Sequence, residues 1–191
     1  MKSVIYLFIF FGVLGCANVD RKLEENNTLN QSLVDHKNDP EAKLDSLGIQ
    51  LRQIGNPVAN YIHASKSGNL LFLSGKGPRQ ANGENIVGKL GDSLTVEQGY
   101  QAAREAGINQ LSVLNAELGN LNKVKSIISV HGMVNAAPNF TDHSKVINGY
   151  SDLMVAVFGN RGKHARAAVG MGSLPGNMAV EVEMVVEVYP E

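Results

Sequence analysis

The sequence predicts an α+β domain of order ββαβαββ, with two helices packed on one face of a mixed sheet. Three observations carry the prediction. In residues 179–188 Val180, Val182, Met184, Val186 and Val188 fall on one face and Glu181, Glu183 and Glu187 on the other, a capped amphipathic run follows Thr95, and a second apolar stripe at helical spacing runs from His143 to Phe158. An open sheet of this size leaves one face without a cover, and self-association is a ready way to supply it.

The elements follow in chain order. Residues 47–60, LGIQLRQIGNPVAN, join a short apolar patch to a Gly-Asn-Pro turn signal. Two β-like runs, 61–64 and 70–74, flank Lys66-Ser67-Gly68-Asn69 and predict a hairpin. Ser74-Gly75-Lys76-Gly77-Pro78 ends the second strand, and its glycines suit either close approach of a ligand or a plain loop exit. Residues 79–93 are polar and read as a surface loop. Thr95 and Gln98 have capping-box spacing, Tyr100, Ala103, Gly107, Leu111, Leu114 and Leu118 form the apolar stripe behind them, and Gly119 is a stop. Residues 124–134 read as a central strand with a kink or bulge at Gly132. After the loop 135–138 comes the second helix, with Val146, Ile147, Tyr150, Leu153, Met154, Val157 and Phe158 facing inward and Asn148 near its start.

The chemistry concentrates in the last stretch, HARAAVGMGSLPGNMAVEVEMVVEVY, residues 164–189. Arg166 opens a run of small and apolar residues, a costly place for a cation unless an anion meets it. Glu181 lies on the polar side of the alternating run. The Pro-Gly connection between the runs predicts a second hairpin, which would aim a guanidinium and a carboxylate at one small cavity. Either residue also has a plainer reading, Arg166 as an interface bridge and Glu181 as a solvated strand residue.

Composition narrows the field. The 191-residue chain has a net charge of −1 and no Trp, so it lacks the basic footprint of a nucleic-acid binder. A single cysteine, Cys16, excludes an intramolecular disulfide and a cysteine-based zinc site, and the five histidines lack metal-ligand spacing. No metal or cofactor is expected. Residues 1–15 read as a signal peptide, and Val13-Leu14-Gly15-Cys16 resembles the bacterial lipobox, in which the cysteine is lipidated. Residues 16–46 then form a polar tether reaching roughly 30 Å as a flexible coil, and 47–191 the folded domain. The expected location is the periplasmic or extracellular face of a bacterial cell envelope, with the membrane engaged through lipid at Cys16.

The words NPVANYIHA, GNLLFLSGKGP, GMVNAAP, VINGYSDL and HARAAVGMGSLPGNMAVEVEM stand in an order and spacing that resembles the reactive intermediate deaminase family, RidA/YjgF, also called endoribonuclease L-PSP. The similarity runs from about Leu47 to Tyr189. It implies a chorismate-mutase-like fold, a homotrimer with sites in the clefts between subunits, and cofactor-free hydrolysis of 2-imino or enamine acids to 2-keto acids and ammonia. Arg166 falls on the family's carboxylate-binding arginine and Glu181 on the glutamate associated with the attacking water. Tyr61, Ser74 and Asn148 fall on residues implied to bind substrate. Lys76 stands where the family often has a neutral glutamine, and Ala168 replaces a frequent cysteine. Two further readings compete: a non-catalytic module binding a small carboxylate or amino acid in the same cleft, and a chaperone-like envelope protein using the trimer surface. A ribonuclease finds no support in charge or in a paired His/Lys constellation.

Overall fold

A computed structural model describes residues 39–190. Residues 1–38, which hold the expected signal peptide, the lipidation site expected at Cys16 and most of the expected tether, lie outside the described residues. The folded unit starts at Asp39, eight residues before the expected boundary at Leu47. Asp39 caps a helix, α1 (Pro40–Ser46), through a 3.0 Å bond from Glu41 N, with Pro40 at the position where a missing N–H costs nothing. Leu44 is buried, Glu41 Oε1 accepts from Leu121 N at 3.1 Å, and Asp39 Oδ1 accepts from Asn122. One leucine and two carboxylates give too weak a pattern to read as structure in a polar segment, yet they dock it.

The remaining elements are β1 (Ala64–Ser67), β2 (Leu70–Lys76), α2 (Val96–Leu118), β3 (Val124–Asn135), α3 (His143–Phe158), β4 (Ala165–Met171) and β5 (Val180–Val188). The order is the expected ββαβαββ. The first hairpin is shifted, however: β1 starts at Ala64 and runs through Lys66 and Ser67, so the turn is only Gly68-Asn69, with Gly68 at φ 58°. A two-residue connection with a left-handed first residue follows the right-handed strand twist better than a longer one.

The sheet order is β1-β2-β5-β3-β4, antiparallel except for the parallel pair β3–β4. This overturns the second expected hairpin. β4 and β5 do not pair; β3 lies between them, and the Pro-Gly segment is a crossover. Both α2 and α3 cover one face, onto which Val180, Val182, Met184, Val186 and Val188 project. The capping box at Thr95 and Gln98 is formed, and Gly119 closes α2 at φ 72°. The two helices approach closely at Gly149, where a Cβ would fall 2.0 Å from Tyr100 O.

Gly132 is not a bulge. The irregularities of β3 lie between Val124 and Ser126 and between Ile127 and Ser129, whereas a Cβ at Gly132 would fall 2.6 Å from Ile147 Cγ1. The glycine is there because α3 rests on the strand. The bulge that matters lies in β2. Leu73 pairs with Met184 and Lys76 with Val182, so Ser74-Gly75 holds one residue more than the opposing strand. Gln110, fully buried on α2, spans the irregularity by donating Nε2 to Ser74 O at 3.1 Å and Val182 O at 2.9 Å.

Candidate active site

The β2 bulge builds one half of the site. With no side chain at Gly75, Glu181 of the adjacent strand lies flush against the backbone, where a Cβ would come within 2.3 Å of Oε1. Glu181 points away from the helices, being in register with Met133 on the open face of the sheet. Partial burial, then the nearby Glu183 carboxylate, push its pKa above the ordinary glutamate value, while Lys76 pulls it back. Ser74 Oγ donates to Ile62 O at 2.7 Å, which pins the segment before β1 against the bulge. Tyr61 stands at the rim, edge-on to His63 with centroids 6.3 Å apart. Lys76 Nζ has only protons to offer, so the 2.8 Å contact makes His63 Nδ1 the acceptor. The ring proton then sits on Nε2 and is donated to Gly55 O at 2.8 Å.

Tyr61 and Ser74 share a cavity of about 650 Å³ on the open face with Ile62, Phe72, His131 and Glu183. Phe72 and Ile62 are 46% and 62% exposed, an apolar surface beside a polar pocket. Among the described residues, no three His, Cys, Asp or Glu side chains gather closely enough to hold a metal ion.

Arg166 builds the other half, elsewhere. It lies on the edge strand β4 in register with Val130, whose side chain is buried against the helices. Its Nη1 donates to Asn148 Oδ1 at 2.9 Å and Ser151 Oγ at 3.0 Å, and Nη2 reaches Ser144 O at 3.5 Å. Positions 144, 148 and 151 recur at helical spacing, so one stripe of α3 holds the guanidinium. Ser151 Oγ also contacts His164 Nε2 at 3.0 Å, and His164 Nδ1 contacts Gly162 O at 2.7 Å. A carbonyl can only accept, so Nδ1 carries the proton and Nε2 accepts from Ser151. Burial first, then the Arg166 charge, lower the His164 pKa and favour this neutral ring.

The structure therefore joins Arg166 to Asn148, and groups Glu181, Ser74 and Tyr61 around the β2 bulge, but it does not bring the two groups together. Arg166 and Glu181 are separated by β3, two strand spacings or about 10 Å. Their registers, Val130 and Met133, also place them on opposite faces of the sheet. Among the described residues of one chain, the two side chains therefore open on opposite sides of the sheet.

A YjgF/chorismate-mutase-like family, described as "YjgF/chorismate_mutase-like, putative endoribonuclease", matches residues 41–188. The chain belongs to this family. The match starts inside α1, in agreement with a folded unit that includes that helix. Protein TCP17 of Trypanosoma cruzi is 44% identical over 147 residues, covering 76% of this chain and 92% of that protein. Protein Atu1372 of Agrobacterium tumefaciens, described as of unknown function, is 39% identical with a TM-score of 0.73, over 78% of this chain and 94% of that one. A Shewanella oneidensis MR-1 protein with the same endoribonuclease designation is 32% identical with a TM-score of 0.76, over 79% and 100%.

Sequence reasoning missed three participants. Ser151, a polar residue outside the apolar stripe of the second helix, and His164, one of the histidines without metal-ligand spacing, position Arg166 and carry no sequence signal of that role. Gly75 was visible as a glycine in a strand, but its neighbour Glu181 was assigned to the wrong strand pairing.

Proposed function

We propose that this RidA/YjgF family member hydrolyses reactive 2-imino and enamine acids to 2-keto acids and ammonia, in clefts between the subunits of a homotrimer. The observation that carries the reading is the setting of Arg166. Its guanidinium is held in place by neutral acceptors, Asn148, Ser151 and the Ser144 carbonyl, and no carboxylate pairs with it among the described residues. A fixed, uncompensated planar cation suits the carboxylate of an amino-acid-derived substrate, which it can meet with two parallel bonds.

The trimer is the family's implied assembly, and the open sheet face gives it a physical motive. Phe72, Ile62 and Tyr61 are exposed there, and a second copy covers them. In the cleft, Arg166 of one subunit anchors the substrate while Glu181 of the next faces its C2 atom. The protonated imine is already electrophilic. Water adds to C2 as Glu181 takes one of its protons; Glu181 passes that proton to nitrogen, the C–N bonding pair leaves with nitrogen as ammonia, and the hydroxyl proton returns to Glu181 as the carbonyl forms. A carboxylate whose pKa is raised by burial is a better proton acceptor than one in water.

The experiment is keto-acid release from an imine generated by an amino-acid oxidase. Wild-type protein accelerates release and Arg166→Ala abolishes the acceleration. Unchanged activity in Arg166→Ala removes the reading. Arg166-dependent thermal stabilisation by small acids without turnover marks a binding module instead. We also propose that Cys16 carries lipid and tethers the domain to the cell envelope, which palmitate labelling of wild-type and Cys16→Ser chains decides.

A further inference from the structure

The strand exit that shapes the Glu181 position also presents a cation to a second space. A cavity of about 870 Å³ opens between the 50–58 segment, the end of β2 and Asn109 of α2, and Tyr61 stands on the rim it shares with the smaller cavity. Its lining contains Arg52, His63, Lys76 and Arg79 but no Asp or Glu.

These cations are not equivalent. Arg52 is committed to the protein: it pairs with Glu105, donates to Asn109 Oδ1 at 2.6 Å and bonds the Arg79 carbonyl. Lys76 is not. Its hydrogen bond goes to His63 Nδ1, a neutral acceptor, and the nearby Glu181 carboxylate offsets its charge only in part. Half-burial draws the Lys76 pKa down, and Glu181 partly restores it. Arg79 uses Nε on Gly83 O at 3.2 Å, and no carboxylate pairs with it among the described residues. An anion from outside would stabilise both.

The position of Lys76 connects this space to the reacting centre. Lys76 pairs with Val182, next to Glu181, and follows Gly75, on which Glu181 rests. The two charges shift each other's pKa, which sets the Lys76 head near the Glu181 carboxylate.

We propose that this cavity receives a second carboxylate of the substrate, held by Lys76 with Arg79, so that imines of dicarboxylic amino acids are preferred over those of apolar ones. The inference rests on the deaminase reading and names the substrate class of that site.

The test compares kcat/KM of the full chain for oxidase-generated imines of aspartate, glutamate, alanine and leucine. The expected preference for the acidic imines is about ten-fold or more, the scale of one charge-assisted contact. Lys76→Gln collapses the ratio, chiefly through KM, and Lys76→Arg, which keeps the charge, retains most of it. A wild-type protein without the preference, or a Lys76→Gln protein that keeps it, overturns the inference and leaves the deaminase reading intact. If no imine is hydrolysed, that reading fails and the cavity is judged by binding. Oxaloacetate and 2-oxoglutarate raising the melting temperature of wild type but not of Lys76→Gln supports the dicarboxylate site. No shift, or an equal shift with inorganic phosphate, overturns it.

Discussion

Gly75→Ala isolates the contribution of Glu181 by moving its carboxylate while leaving its chemistry intact. The added methyl would fall 2.3 Å from Oε1, 2.9 Å from Cδ and 3.0 Å from Cγ of Glu181. Non-bonded carbon contacts settle near about 3.5 Å, so the carboxyl group has to retreat by about 1.2 Å. The atoms in the way belong to a flexible side chain, and Gly75 is absent from the glycines with positive φ, so alanine fits the backbone. The substitution narrows the unfolded ensemble by about 0.4–1 kcal/mol, which offsets the relocation of Glu181. The melting temperature should stay within about 4 °C of wild type. A displacement of about 1 Å at a reacting group costs roughly 100-fold in rate, so kcat for keto-acid release should fall by one to two orders of magnitude while KM, set by Arg166, moves little. A folded Gly75→Ala protein with wild-type kcat would refute the assignment of Glu181 to the water.

Two further outcomes follow from the packing and the Arg166 setting. Gly149→Ala places a methyl 2.0 Å from the Tyr100 carbonyl, a backbone atom that cannot step aside, so α2 and α3 must separate; chemical denaturation should show a loss of about 1–3 kcal/mol. For His164 the neutral form is favoured in the fold, so its contribution to stability is complete above the ordinary value of 6.5 and is lost as pH falls from there through its lowered folded pKa. Protonation turns Nε2 into a donor, so Ser151 can no longer donate to it, and the like charge pushes the Arg166 guanidinium off its seat on Asn148 and Ser151. KM should therefore rise through that window more than kcat changes, and His164→Gln should flatten the KM profile.

Much of the fold was legible because it is written in local periodicity. The Thr95 capping box, the His143–Phe158 stripe and the alternation before Val188 each specify an element through its own residues. Strand order is different, since nothing in residues 172–179 says whether β4 and β5 touch. A Pro-Gly turn fits a hairpin and a crossover equally well, and the choice depends on β3 inserting between them. The site inherited that ambiguity. Arg166 and Asn148 were singled out separately and meet, because a parallel edge strand passes alongside α3. Arg166 and Glu181 were expected together and lie on opposite faces, because pairing to β3 at Val130 and Met133 sets opposite side-chain phases. The docking of α1 escaped for a simpler reason, that it rests on single side chains reaching Leu121 and Asn122.

The central claim is that one subunit supplies Arg166 and another Glu181, and subunit complementation tests it most directly. Arg166→Ala and Glu181→Gln proteins, each inactive alone, are unfolded together in equal amounts, refolded and assayed for keto-acid release. In a three-fold assembly with shared clefts, a random mixture contains intact sites at about a quarter of positions, so turnover should return to about a quarter of wild type. A mixture as inactive as its components would contradict the account, because every site drawing both residues from one chain would still lack one of them.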